Sequence, residues 1–151
     1  MPTLNNDSPD GASCFLVEAN VGRLICTRLT ALQHVHQVAH VELAIVQALQ
    51  QVASKVVICT DWRDLNVLGP EVADAVVNML RVTNVRVERG AILLGPLNAV
   101  FSLQVERVLR DAKNPGRRSF RRRGDLLAWI AEVLNPAELS GAARFLENIP
   151  L

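Results

Sequence analysis

Four consecutive residues, Asp61-Trp62-Arg63-Asp64, concentrate the chemistry of this chain. Two carboxylates with a guanidinium between them can make an ion pair, an acid–base pair or a recognition surface for a charged partner. Tryptophan and arginine are also the residue types that most often anchor protein interfaces. The stretch follows Val56-Val57-Ile58-Cys59, a continuous apolar run with the pattern of a parallel strand buried on both faces. Ligands of open α/β sheets gather beyond the carboxyl ends of the strands, and connecting loops carry function disproportionately. Asp61, Trp62, Arg63 and Asp64, with Asn66 and Glu71 further along, are therefore the candidate partner-binding residues. The structural alternative caps a turn with Asp61, pairs Arg63 with Asp64 and closes the core edge with Trp62.

The second candidate is a basic run. Between Arg107 and Arg123 lie half of the chain's 16 basic residues, with Asp111 as the only acid. Arginine forks suit phosphates and carboxylates. Arg117, Arg118, Arg121, Arg122 and Arg123 are the candidate anion-binding residues, with nucleic acid, anionic lipid or an acidic protein face as targets. Against this, only Phe120 interleaves as an aromatic, and a strand alternates its faces, so these arginines cannot all point one way. Some would simply guard a sheet edge.

His36 and His40 stand four apart, on one helix face. A zinc site needs three or four ligands; Glu42 lies off that face and no cysteine joins the pair, so no metal is expected. A polar face, usable in a homodimer, is the expectation. No GxSxG, Walker A or GxGxxG spacing occurs. Cys59 falls inside an expected buried strand, where a thiol is inert. No enzyme activity and no cofactor are expected.

These residues need elements to position them. Ser13–Ala19 and Val21–Leu29 read as a hairpin around Ala19-Asn20-Val21-Gly22. Thr30, with Gln33 three residues on, signals a capping box for a helix running to about Ala53. That helix carries two apolar stripes, one through Leu32, Val35, Ala39, Leu43 and Val46, the other through Val38, Val41, Ile45, Ala48 and Val52. Pro70 opens a helix with Val72, Val76 and Leu80 inward; Gly90–Leu94 is a second buried strand. Asn98 caps a helix facing inward through Phe101, Val105, Val108 and Ala112, and Ser119-Phe120 ends the sheet. Asp125 caps a helix, and Asn135, Pro136 and Glu138 announce the last one. The order ββα-βα-βα-βα-α implies an α/β fold with a central, mostly parallel sheet of 4–5 strands, an N-terminal β-hairpin, covering helices and a C-terminal helix.

The segment from Lys55 through Asp61-Trp62-Arg63-Asp64-Leu65-Asn66-Val67-Leu68-Gly69-Pro70-Glu71-Val72 resembles the heart of a STAS domain, the module of sulfate transporters and anti-sigma-factor antagonists. There a buried strand ends in Asp, a short loop follows, and a helix begins at a phosphorylated Ser or Thr. Glu88-Arg89 leading into Ala91–Leu94, the helix around Gln104 and Arg107, then Asn114, Arg118 and Phe120, and the helix with Ala128-Trp129-Ile130 fit bacterial STAS-like relatives. The resemblance spans about residues 13–134. It implies a non-enzymatic regulatory or scaffolding module that binds regulatory proteins, or in some branches a carrier of small anionic or lipid-like ligands. One departure matters: the phosphoacceptor position falls at Gly69 or Pro70, and no Ser or Thr lies between Thr60 and Thr83.

Composition sets the frame. The 151 residues suit one domain, 13–151, preceded by a polar tail at 1–12 that reads as disordered. Half the residues are hydrophobic, aromatics are scarce and net charge is +1, so no global field steers the molecule to polyanions. The start lacks a secretory signal, no apolar run approaches the roughly 18 residues of a membrane span, and the three cysteines are odd in number without a CxxC. A cytoplasmic protein with reduced, buried thiols is the expectation.

Overall fold

The apolar run at Val56 forms the middle of the molecule in the computed structural model, which describes residues 3–7, 13–96 and 98–147. It is the start of β4 (Val56–Trp62), in which all seven residues are buried. Around it a six-stranded sheet is ordered as the chain runs: β1 (Thr3–Asp7), β2 (Ser13–Ala19), β3 (Leu24–Leu29), β4, β5 (Val87–Leu94) and β6 (Arg117–Phe120). The first two pairings are antiparallel and the remaining three parallel. The fold is thus α/β, with the expected hairpin at β2–β3. Gly22 takes φ +58° in its turn, a left-handed conformation that glycine adopts without strain. The strand Thr3–Asp7 differs from the expectation of a tail there and brings the sheet to six strands; residues 1–2 and 8–12 lie outside the described ones.

Each parallel pairing is bridged by one helix: α1 (Val35–Leu49), α2 (Pro70–Thr83) and α3 (Ala99–Ala112). Sequential strand order with crossovers of one hand stacks all three helices on one face of the sheet. Ile58 and Trp62 of β4 and Ile92 of β5 pack into that layer. The alternate residues, Val57, Cys59, Ala91 and Leu93, face the opposite layer of α4 (Arg123–Ala131) and α5 (Pro136–Glu147). Period-two alternation along β4 therefore feeds two separate cores.

Boundaries differ from the sequence reading in instructive places. Thr30 does not start α1; its backbone N–H donates to the Cys14 carbonyl, prolonging the β2–β3 pairing. The capping box instead uses His34 and Gln37. Only one of the two apolar stripes is buried. Val38, Val41, Ala44, Ile45 and Ala48 face inward, while Val35 and Leu43 are exposed. The helix begins its layer and has α2 as its helix neighbour, so a single arc is covered. Asn98 caps α3 as expected, accepting from the Phe101 N–H at 3.0 Å. Asp125 stands in the first turn of α4, not at its cap.

Helix α5 is tied at its start. Asn135 Oδ1 accepts from the Glu138 N–H at 2.8 Å and Glu138 Oε1 from the Asn135 N–H at 3.0 Å. The other Glu138 oxygen accepts from the Arg23 N–H at 2.8 Å, joining the helix to the hairpin. Among the described residues no helix is long and apolar enough to cross a membrane.

Cys14, Cys26 and Cys59 are buried and form no disulfide, and Cys26 and Cys59 sit opposite each other on β3 and β4. The neighbouring Cys59 thiol, with burial, pushes the Cys26 thiol up and disfavours its thiolate. All three are expected to resist a thiol reagent in the native protein. Titration with such a reagent, with and without denaturant, should give three equivalents only after unfolding.

Candidate functional site

Asp61, next to last in β4, points toward the α4–α5 layer at 5% exposure. Its carboxylate is a four-bond node. Oδ1 accepts from the Arg63 backbone N–H at 3.0 Å and from Arg63 Nε at 2.9 Å. Oδ2 accepts from Arg63 Nη2 at 2.9 Å and from Arg28 Nε at 3.0 Å. The two arginines then reach past the carboxylate to the end of α5. Arg28 Nη2 donates to the Phe145 carbonyl at 2.8 Å, and Arg63 Nη2 to the Leu146 carbonyl at 2.9 Å. Arg28 also lies over the Phe145 ring, 4.3 Å from its centroid. Cations at a helix C-terminus satisfy orphan carbonyls and complement the helix dipole.

Burial is the largest influence on Asp61 and opposes its ionisation. The hydrogen bonds from the Arg63 side chain and backbone, and from Arg28, together outweigh it and hold the carboxyl below its ordinary value. Arg63 is shifted up, chiefly by its hydrogen bond to Asp61. Asp61 thus stays ionised, and its four accepted bonds leave little capacity for proton transfer.

Trp62 points to the other face of the sheet, 2% exposed, its ring 6.4 Å from Phe101. Asp61 and Trp62 are therefore internal, and neither offers a surface to a docking protein. This corrects the expectation for those two residues; the physical reason is that β4 runs on through Thr60, Asp61 and Trp62 instead of stopping at Cys59. Arg63 pairs with Asp61, not with Asp64, and is committed to α5.

The remaining expected residues do reach the surface. Asp64, Asn66 and Glu71 are exposed. Asn66 Oδ1 accepts from Asn98 Nδ2 at 2.8 Å. Two residues on, the Leu68 N–H and C=O bond reciprocally to the Gln104 amide, both at 2.8 Å. Those bonds fasten the loop before α2 to α3. On the same loop and on α3, three large apolar side chains that the sequence did not single out are exposed: Val67, Val100 and Leu103, at 53, 66 and 67%. Val100 and Leu103 are three apart, hence neighbours on one helix face. Their signal was present in the sequence as apolar residues off the inward stripe of α3.

The arginine run splits. Arg117 is buried at 8% exposure and bonds to the end of α2, so it does not belong to a surface anion site; its place on β6 turns it inward. Arg118 is exposed and lies over Trp129 at 5.0 Å from the ring centroid. Arg121, Arg122 and Arg123 are exposed where β6 passes into α4. His36 and His40 pack edge to face at 6.0 Å. Among the described residues no three His, Cys, Asp or Glu side chains come together to hold a metal. No protein-family model, no curated protein and no solved structure matches this chain.

Proposed function

We propose that the protein is a non-enzymatic, cytoplasmic interaction module of STAS-like type, regulatory or scaffolding in role, that docks a partner protein on the loop before α2 and the adjoining face of α3. The observation that carries this reading is the exposed Val67 on a loop pinned to α3, with Val100 and Leu103 exposed on that helix. Apolar side chains grouped at the surface and rimmed by polar ones favour a protein partner. Asp64, Asn66 and Glu71 supply that rim. The loop's hydrogen bonds to α3 favour tight docking, because little order is left to be lost on binding. The turn at Gly69-Pro70 has no hydroxyl, so control does not run through phosphorylation there.

The test is capture from a lysate, identification of the bound protein, and reconstitution with purified components. Val67→Asp with Leu103→Arg should weaken the reconstituted complex by roughly 100-fold, as loss of two apolar anchors implies. Arg121, Arg122 and Arg123 changed to Glu should leave it near wild type. Binding that survives the first variant, or that collapses only in the second and falls steeply with salt, overturns the reading in favour of anion recognition.

A further inference from the structure

The sheet face beneath α1 and α2 does not pack solid. A cavity of about 30 Å³ lies there, and every residue lining it is buried. That space accommodates one or two water-sized groups. Its walls are largely aliphatic, from Val41 and Ile45 of α1, Met79 of α2, and Ile58 and Ile92 of the sheet. Thr27, Thr60 and Thr83 add hydroxyls to the lining, and Thr27 Oγ1 donates to Thr60 Oγ1 at 2.8 Å. Trp62 lines it, and Trp62 Nε1 is a buried donor with no acceptor. Arg117 lines it from β6.

Arg117 is a buried cation with only neutral partners. Nε donates to Asn84 Oδ1 at 2.9 Å, and Nη2 to the Leu80 carbonyl at 3.1 Å and to Thr83 Oγ1 at 3.0 Å. Among the described residues no carboxylate pairs with it, and Nη1 donates to none of them. Nη1 lies over Gly90, 3.1 Å from where a Cβ would stand, and Gly90 is itself part of the cavity wall. Burial pushes the guanidinium down to about 10, which leaves it charged at neutral pH. The end of α2 contributes partial negative charge from its carbonyls but no full counter-charge. Buried charges are ordinarily paired, because an unpaired one is costly in an apolar interior.

We propose that this cavity binds a small monovalent anion, of halide to formate size, seated at Arg117 Nη1 beside Gly90. A ligand at that donor must accept hydrogen bonds, carry one negative charge and fit a space of this size. Larger or doubly charged anions are excluded by volume and by the desolvation their second charge demands. The inference is independent of the docking surface, since the cavity is interior and that surface is exposed.

The test uses the full chain in two measurements. Crystals soaked in bromide should show an anomalous peak within hydrogen-bonding distance of Arg117 Nη1. Thermal unfolding at matched ionic strength should show a saturable rise of about 3 °C with bromide or formate at tenfold excess over Kd, absent with sulfate. Arg117→Met should abolish the rise. Gly90→Ala, which keeps the cation and places a methyl against Nη1, should abolish it as well, so the result does not hang on one variant that fails to fold. A cavity holding water alone or nothing, a rise that never saturates, or a rise that persists in Gly90→Ala overturns the proposal.

Discussion

Asp61→Ala should destabilise the protein by about 3 kcal/mol or more, the range for removing one member of a buried ion pair. The substitution strands two cations: Arg28, mostly buried, and Arg63, a third of whose side chain is exposed. Partial solvation of Arg63 keeps the effect toward the lower end. The loss should be local before it is global, because both arginines hold the last carbonyls of α5. Denaturant titration gives the stability, and amide exchange should show α5 opening first. The pH dependence has a definite sign. Asp61 titrates lower in the folded protein than in the unfolded chain, so its contribution is complete above the unfolded value of about 3.9 and fades as pH falls through the folded one. Wild type should therefore lose stability more steeply than Asp61→Ala between pH 4 and strongly acid solution. Parallel acid limbs would mean that the carboxylate is not the node described.

Trp62→Ala should cost about 3–5 kcal/mol, as expected for emptying a buried aromatic site. The ring lies in the core between the sheet and α1–α3 beside Phe101. Trp62→Phe is the informative companion. It keeps an aromatic ring there and removes a buried donor that has no acceptor, so it should cost much less than the alanine change. If Phe and Ala were equally damaging, the indole N–H would have to be bonded and the cavity beside it occupied in a different way. Chemical denaturation of both variants, with matched m-values, makes the comparison.

The sheet and its helices were legible because their signals are local. Val56–Cys59 announced a central strand; Asn98 and the Asn135–Glu138 pair announced helix starts; Val72, Val76 and Leu80 announced one inward face, and all three are buried. What escaped depended on neighbours. Thr3–Asp7 is too polar to read as a strand and is one through its pairing with β2. Val35 and Leu43 looked like core but lie beyond the arc that α2 and the sheet cover. The site was legible as a place more than as a set of residues. The loop after β4 was found, yet Asp61 and Arg63 serve the end of α5, more than 80 positions away, a contact no local pattern encodes. Arg28 was missed for the same reason. Val67, Val100 and Leu103 are ordinary apolar residues in sequence, and only the fold leaves them exposed.

The most direct measurement for the docking account is amide exchange on the reconstituted complex, read by mass spectrometry with and without the partner. Slowed exchange confined to about residues 64–71 and 99–107 is the predicted footprint. Slowed exchange confined to residues 118–123, with the loop and α3 unchanged, would contradict it.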